Sequence, residues 1–124
     1  MARGVPWKMI AANVLADILQ IGDKEVLVID SRSFLEYNSC HIVDSVNVCC
    51  SKLVKRRLQQ GKVMVTELLS QACHHYKLVP RSRIIVYDQC TSDPLVLSPD
   101  CFLSVLLHKL VSVFFRIELL QGES

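Results

Sequence analysis

A chain of 124 residues with 51% hydrophobic and 21% charged side chains has the composition of one packed domain of ordinary size. Four glycines and four prolines exclude collagen and low-complexity linkers, and no repeat period is visible. The net charge of +2 is unevenly spread: no acidic residue stands between Ser45 and Thr66, whereas Lys52, Lys55, Arg56, Arg57 and Lys62 all fall there. The N-terminus, from Met1 to Lys8, lacks an uninterrupted apolar stretch and a small-residue cleavage signature, so no secretory leader is expected. Residues 101–120 are the most apolar, but His108, Lys109, Arg116 and Glu118 interrupt them too often for a membrane span. Six cysteines, Cys40, Cys49, Cys50, Cys73, Cys90 and Cys101, include no Cys-x-x-Cys pair, which points to reduced thiols in an intracellular chain. Cys73, His74 and His75 with Cys40 and His41 do not have ligand spacing, because neighbouring side chains do not converge on one ion. No metal and no cofactor are predicted.

Along the chain, helix and strand signals alternate. Ile10, Val14, Leu15, Ile18 and Leu19 have helical spacing and predict a helix over 9–20, ended by Gly22 and Asp23. Residues 26–30 form a short β-branched apolar run that reads as a buried strand ending in Asp30. A short helix is expected over 33–38, capped by Ser33 with Glu36 three residues on. Residues 45–49 alternate like a strand, and 52–60 read as a basic helix stopped by Gly61. Thr66 would cap a helix over 66–74, and 83–88 form a second buried strand ending in an acid. An apolar helix over 99–110, with Pro99 in its first turn, precedes a last strand over 114–120. Such alternation predicts an α/β domain with a central, mostly parallel sheet and helices on both faces.

In such sheets chemistry gathers beyond the carboxyl ends of the strands, here at Asp30, Ser31 and Arg32 and at Asp88, Gln89 and Cys90. Asp30 and Arg32 after a strand, Glu36 beside Tyr37, His41 beside Ile42, and Asn47 stand at fixed spacing. This pattern resembles the rhodanese signature, and 83–88 resembles the strand before the rhodanese active loop. Residues 47–63 and 86–89 further resemble the N-terminal rhodanese-like domain of dual-specificity MAP kinase phosphatases, in the subgroup preferring stress-activated kinases of the c-Jun N-terminal kinase type. The resemblance extends over about 9–120. It implies a non-catalytic domain that docks the kinase, while a separate C-terminal domain dephosphorylates phosphotyrosine and phosphothreonine. The family continues past the position of Leu120 with a further helix and the phosphatase domain. Residues 1–124 therefore read as one rhodanese-like domain, truncated at its C-terminus, without a phosphatase domain.

No catalytic residue is predicted. A sulfurtransferase of this fold needs a nucleophilic cysteine directly after Tyr87, and Asp88 stands there, with Cys90 two positions later. Cys50 and Arg56 satisfy the Cys-x5-Arg spacing of tyrosine phosphatases, but bulky Leu53 and Val54 fill what should be a loop of converging amides. His41 reads as a structural histidine bonded to backbone or to the Asp30 region rather than as a general base. Asp30 and Arg32 read as an ion pair and turn-former that identify a fold, not a reaction.

Function is placed instead on the basic helix. At 100° per residue Lys52, Lys55, Arg56 and Gln59 share one face and Leu53, Val54 and Leu58 the other, with Arg57 on the apolar side. Lys55, Arg56 and Arg57, then Leu58, Val63 and Val65, resemble the MAP kinase docking motif, in which cations meet an acidic patch and aliphatic side chains enter a groove. The partner implied is a MAP kinase of the stress-activated type. The alternative is nuclear import or nucleic-acid binding through Lys55, Arg56 and Arg57, disfavoured by the single cluster and the lack of interleaved aromatics. The expected location is the cytoplasm, with the nucleus as a second compartment.

Overall fold

The computed structural model describes residues 7–21, 26–32, 34–42, 45–48, 52–72, 82–88 and 102–120. In chain order the elements are β1 (Lys8–Ile10), α1 (Ala12–Ile21), β2 (Val26–Asp30), α2 (Phe34–Ser39), β3 (Val46–Asn47), α3 (Lys52–Gln59), α4 (Val65–Ala72), β4 (Arg83–Tyr87), α5 (Phe102–Val111) and β5 (Arg116–Leu120). The strands form one parallel sheet in the order β1-β5-β4-β2-β3.

The two central strands are continuous apolar runs because both of their faces are covered. Leu27 and Ile29 of β2, Ile84 and Val86 of β4, and Ile117 and Leu119 of β5 point to one side, where they join Leu58 of α3, Val65 and Leu69 of α4, and α5 in the main core. Val28, Ile85, Ile10 and Leu120 point to the other side and meet Leu15 of α1, with Ile42 beside them. Alternation of side chains along each strand produces this division. Helix α5 is buried nearly all round, from Phe102 to Leu107 and again at Leu110, and α3 packs on it. On the α1 side the sheet also carries a charged pair. The Arg83 guanidinium donates to both carboxylate oxygens of Glu118, Nη2 to Oε2 at 2.9 Å, and this hydrogen bonding raises the arginine's pKa against the opposing effect of burial.

The elements differ from the sequence-based expectations at several boundaries. Met9 and Ile10 belong to β1, paired with Leu119 and Leu120, and α1 starts only at Ala12, with the Ala11 carbonyl accepting from the Val14 and Leu15 amides. Ile10 mimics helical spacing with Val14, but it is needed in the sheet, and Val14 is exposed. Strand β3 is shorter than expected and Cys49 lies outside the described residues, as do Ser33, His74 and Pro99. Thr66 does not cap α4. It is the second residue of the helix, whose first turn is closed instead by Glu67, with the Met64 N–H donating to Glu67 Oε1 at 2.9 Å. Phe114 and Phe115 precede β5 in the turn that leaves α5, where the Val113 and Phe114 amides donate to the Leu110 carbonyl.

Ile29→Asp or Val86→Asp would bury an unpaired charge between sheet and helices, at a cost of several kcal/mol, comparable with the whole stability of a small domain. Loss of the cooperative thermal transition, followed by circular dichroism, is the expected outcome for either variant; a soluble variant that still melts cooperatively would contradict this placement of the core.

Candidate functional site

The carboxyl end of the sheet is built around Asp30, which is completely buried. Its Oδ1 accepts the Arg32 backbone N–H at 2.9 Å and Arg32 Nε at 3.0 Å, and its Oδ2 accepts Arg32 Nη2 at 2.8 Å. This bidentate pairing raises the arginine's pKa further, chiefly through the hydrogen bonds to Asp30. The guanidinium also donates to the Cys40 carbonyl and lies 4.9 Å from the centroid of the Tyr87 ring. Asn47 Nδ2 donates to the carbonyls of Asp30 and Arg32 at 2.9 and 3.0 Å, tying the two-residue edge strand to the turn. The Tyr37 hydroxyl donates to the Ser45 carbonyl at 2.6 Å. His41 stacks on Tyr37 at 3.9 Å between centroids, with Nδ1 2.7 Å from the Tyr37 carbonyl oxygen. It is exposed and bonded to backbone, not to Asp30. Glu36 is exposed on α2. The hydrogen bonds of Asp30, Arg32 and Asn47 hold a turn.

Asp88 follows Tyr87 directly. Ser31 Oγ donates to the Tyr87 carbonyl at 3.1 Å and lies 3.5 Å from Asp88 Oδ1. A carboxylate at this position is a poor sulfur nucleophile and repels an anionic sulfur donor. Gln89 and Cys90 lie outside the described residues. Cys50 does too, but Arg56 stands within α3, where the amides are directed along the helix and cannot converge on a phosphate. Among the described residues no three His, Cys, Asp or Glu side chains are grouped as metal ligands.

Helix α3 presents a different surface. Leu58 is 0% exposed and faces α5, and Val54 and Lys55, on either side of it around the helix, are half-buried. The outward arc consists of Gln59, Lys52, Arg56, Leu53 and Arg57, all exposed. Arg57 is therefore not on the buried side as the helical wheel suggested, because Leu53, counted there as apolar core, is 56% exposed. Lys55, counted with the solvent face, lies on the inner flank. Arg56 and Arg57 make no ion pair or side-chain hydrogen bond among the described residues. The linear motif is also divided by the fold. Leu58 and Val65, at 3% exposure, are core residues and not available to a groove, Val63 is half-buried, and Met64 between them is exposed.

The end of α3 extends the cationic surface. Gly61 has φ +74°, the Lys62 N–H donates to the Arg57 carbonyl at 2.9 Å and the Gly61 N–H to the Leu58 carbonyl at 3.2 Å, which together make a Schellman motif. Such motifs commonly carry an apolar contact across these positions, but here Arg57 and Lys62 occupy them. The turn thus brings a further cation close to the helix, where the C-terminal end of the helix dipole favours positive charge.

The parallel sheet with helices on both faces is a rhodanese-like fold, and the chain belongs to that family: the Rhodanese-like domain profile matches residues 12–98. Within it the chain is similar to a segment of dual specificity protein phosphatases. It is 51% identical over 119 residues to dual specificity protein phosphatase 8 of Mus musculus and 46% identical over 123 residues to human dual specificity protein phosphatase 16. These matches cover 95% and 98% of this chain but 18% of each relative, so the chain spans less than a fifth of their length. The matched segment of each relative corresponds to the rhodanese-like domain of this chain. The human single domain sulfurtransferase TSTD1 superposes with a TM-score of 0.58 over 98% of this chain and 93% of its own, at 13% identity, a likeness of fold alone.

Two outcomes are expected from this geometry. With Asp88 in the loop, the purified chain transfers no sulfur from thiosulfate to cyanide; turnover that Cys90→Ser abolishes would overturn that expectation. Gly61→Ala meets no atom within 4 Å, so its cost is the left-handed backbone, about 1–2 kcal/mol in denaturant unfolding, and Gly61→Asn should cost less.

Proposed function

We propose that this domain is a docking module that binds a MAP kinase of the stress-activated, c-Jun N-terminal kinase type. The observation that carries the reading is the pair Arg56 and Arg57, on either side of Leu53 on the exposed arc of α3 and unpaired among the described residues. Two planar forks with no acid paired to them among the described residues are suited to carboxylates on a partner. Lys52 and Lys62 extend the field, and the absence of any acid between Ser45 and Thr66 keeps it uncompensated locally. The similarity to dual specificity protein phosphatases 8 and 16 supports the same reading, with the domain bringing the kinase to a phosphatase domain. It acts in the cytoplasm and, where the kinase enters it, the nucleus.

Replacing Arg56 and Arg57 together by Ala should weaken binding to such a kinase by about 2–4 kcal/mol, roughly thirtyfold or more. Lys8→Ala, on the edge strand away from this surface, should change it little. Thermal unfolding of the double variant should stay within about 4 °C of the parent, since exposed cations contribute little to stability. Calorimetric titration checks the first and differential scanning the second. If duplex DNA competes with the kinase for the parent protein at physiological salt, the nucleic-acid reading replaces this one.

A further inference from the structure

Resting on the docking reading, we infer that the kinase reads one face of the folded helix α3, with Leu53 as its apolar anchor, rather than an extended run of cations followed by Leu58, Val63 and Val65. In this fold Leu58 and Val65 form part of the main core with α5 and the sheet, so presenting them would strip α3 and α4 from that core. Leu53 needs no such rearrangement. It is an exposed large apolar side chain on the outward arc of α3, and Arg56 and Arg57 follow it at i+3 and i+4, the two positions that neighbour it on a helix surface.

Side chains on a helix tilt toward its N-terminus, so the aliphatic stems of Arg56 and Arg57 lean back toward Leu53 while their guanidinium groups remain at the edge. The result is a branched apolar side chain with cations on its flanks and Lys52 beside it. An apolar centre with a polar, charged rim is the usual anatomy of an energetic interface centre. Lys55 lies on the inner flank of the helix, half-buried and already engaged, and stands apart from this face.

The occupant is an acidic surface of the kinase with an apolar floor wide enough for one helix face. A second copy of this chain is a poorer match, because two such faces would oppose like charges. The arrangement also gives Leu53 a role that folding does not, since an isolated exposed leucine contributes little to the core.

The test compares Leu53→Ser, Leu53→Met and the Arg56→Ala, Arg57→Ala double variant by titration against the stress-activated kinase, with thermal unfolding and sedimentation in parallel. Leu53→Ser is expected to weaken binding about tenfold or more without lowering Tm, and Leu53→Met to return it to within about threefold of the parent. If Leu53→Ser binds as the parent does while the double arginine variant is weakened, this inference fails and the docking reading stands. If neither variant is weakened, both fail. A loss that Leu53→Met does not restore, that tracks a drop in Tm, or that accompanies dissociation of a dimer of this chain also overturns the anchor.

Discussion

Asp30 is a carboxylate held out of water at the end of a central strand, and a charge there is tolerated only if it is fully paired. Arg32 satisfies it with three N–H groups, from its backbone and from Nε and Nη2 along one edge of its guanidinium, and in doing so takes on tasks for three other elements. It reaches the Cys40 carbonyl after α2, covers the Tyr87 ring at the end of β4, and through its own carbonyl receives Asn47 from β3. One ion pair therefore sets the separation of the strand ends and the entry of the edge strand. Bidentate geometry matters here: a lysine could neutralise Asp30 but could not hold these partners in fixed directions.

The same end of the sheet is where an α/β domain of this kind would hold a reacting group, and here Asp88 follows the end of β4 with Ser31 against it. A fold can persist without its chemistry because the buried turn is needed for packing whether or not a substrate binds. The concentrated positive charge lies instead on the helix packed against α5. Helix α3 needs only a narrow stripe, Val54 and Leu58, to attach to α5, and most of its circumference is left to carry charge. Cations near its C-terminal end are compatible with the helix dipole, so a concentrated positive surface can be maintained there at small cost to folding.

The core strands could be read from composition because burial on both faces leaves uninterrupted β-branched runs, as in Val26–Asp30 and Arg83–Tyr87. Strand β1 was hidden by coincidence of period: three residues are too few to show alternation, and Ile10 falls four before Val14. The end of α3 was legible at Gly61, because a left-handed residue has few alternatives, whereas the start of α4 was not, since Glu67 rather than Thr66 closes its first turn. Leu53 was missed for a related reason. The wheel gave all three aliphatic residues of the segment one side, although the apparent misfit of Arg57 on that side was the signal that the stripe should be narrowed to Val54 and Leu58.

The amino-acid sequence by itself determined the α/β class, the family pattern from Asp30 to Asn47 and the concentration of positive charge between Ser45 and Thr66, because period, spacing and residue type are local properties of the chain. Only the tertiary structure decided which of the residues near those cations are available to a partner. Leu58 and Val65 look as suitable as Leu53 in one dimension, but burial depends on where α5 lies, and that helix is contributed by residues more than thirty positions further along the chain. Packing against it takes Leu58 and Val65 out of water and leaves Leu53, Arg56 and Arg57 together at the surface.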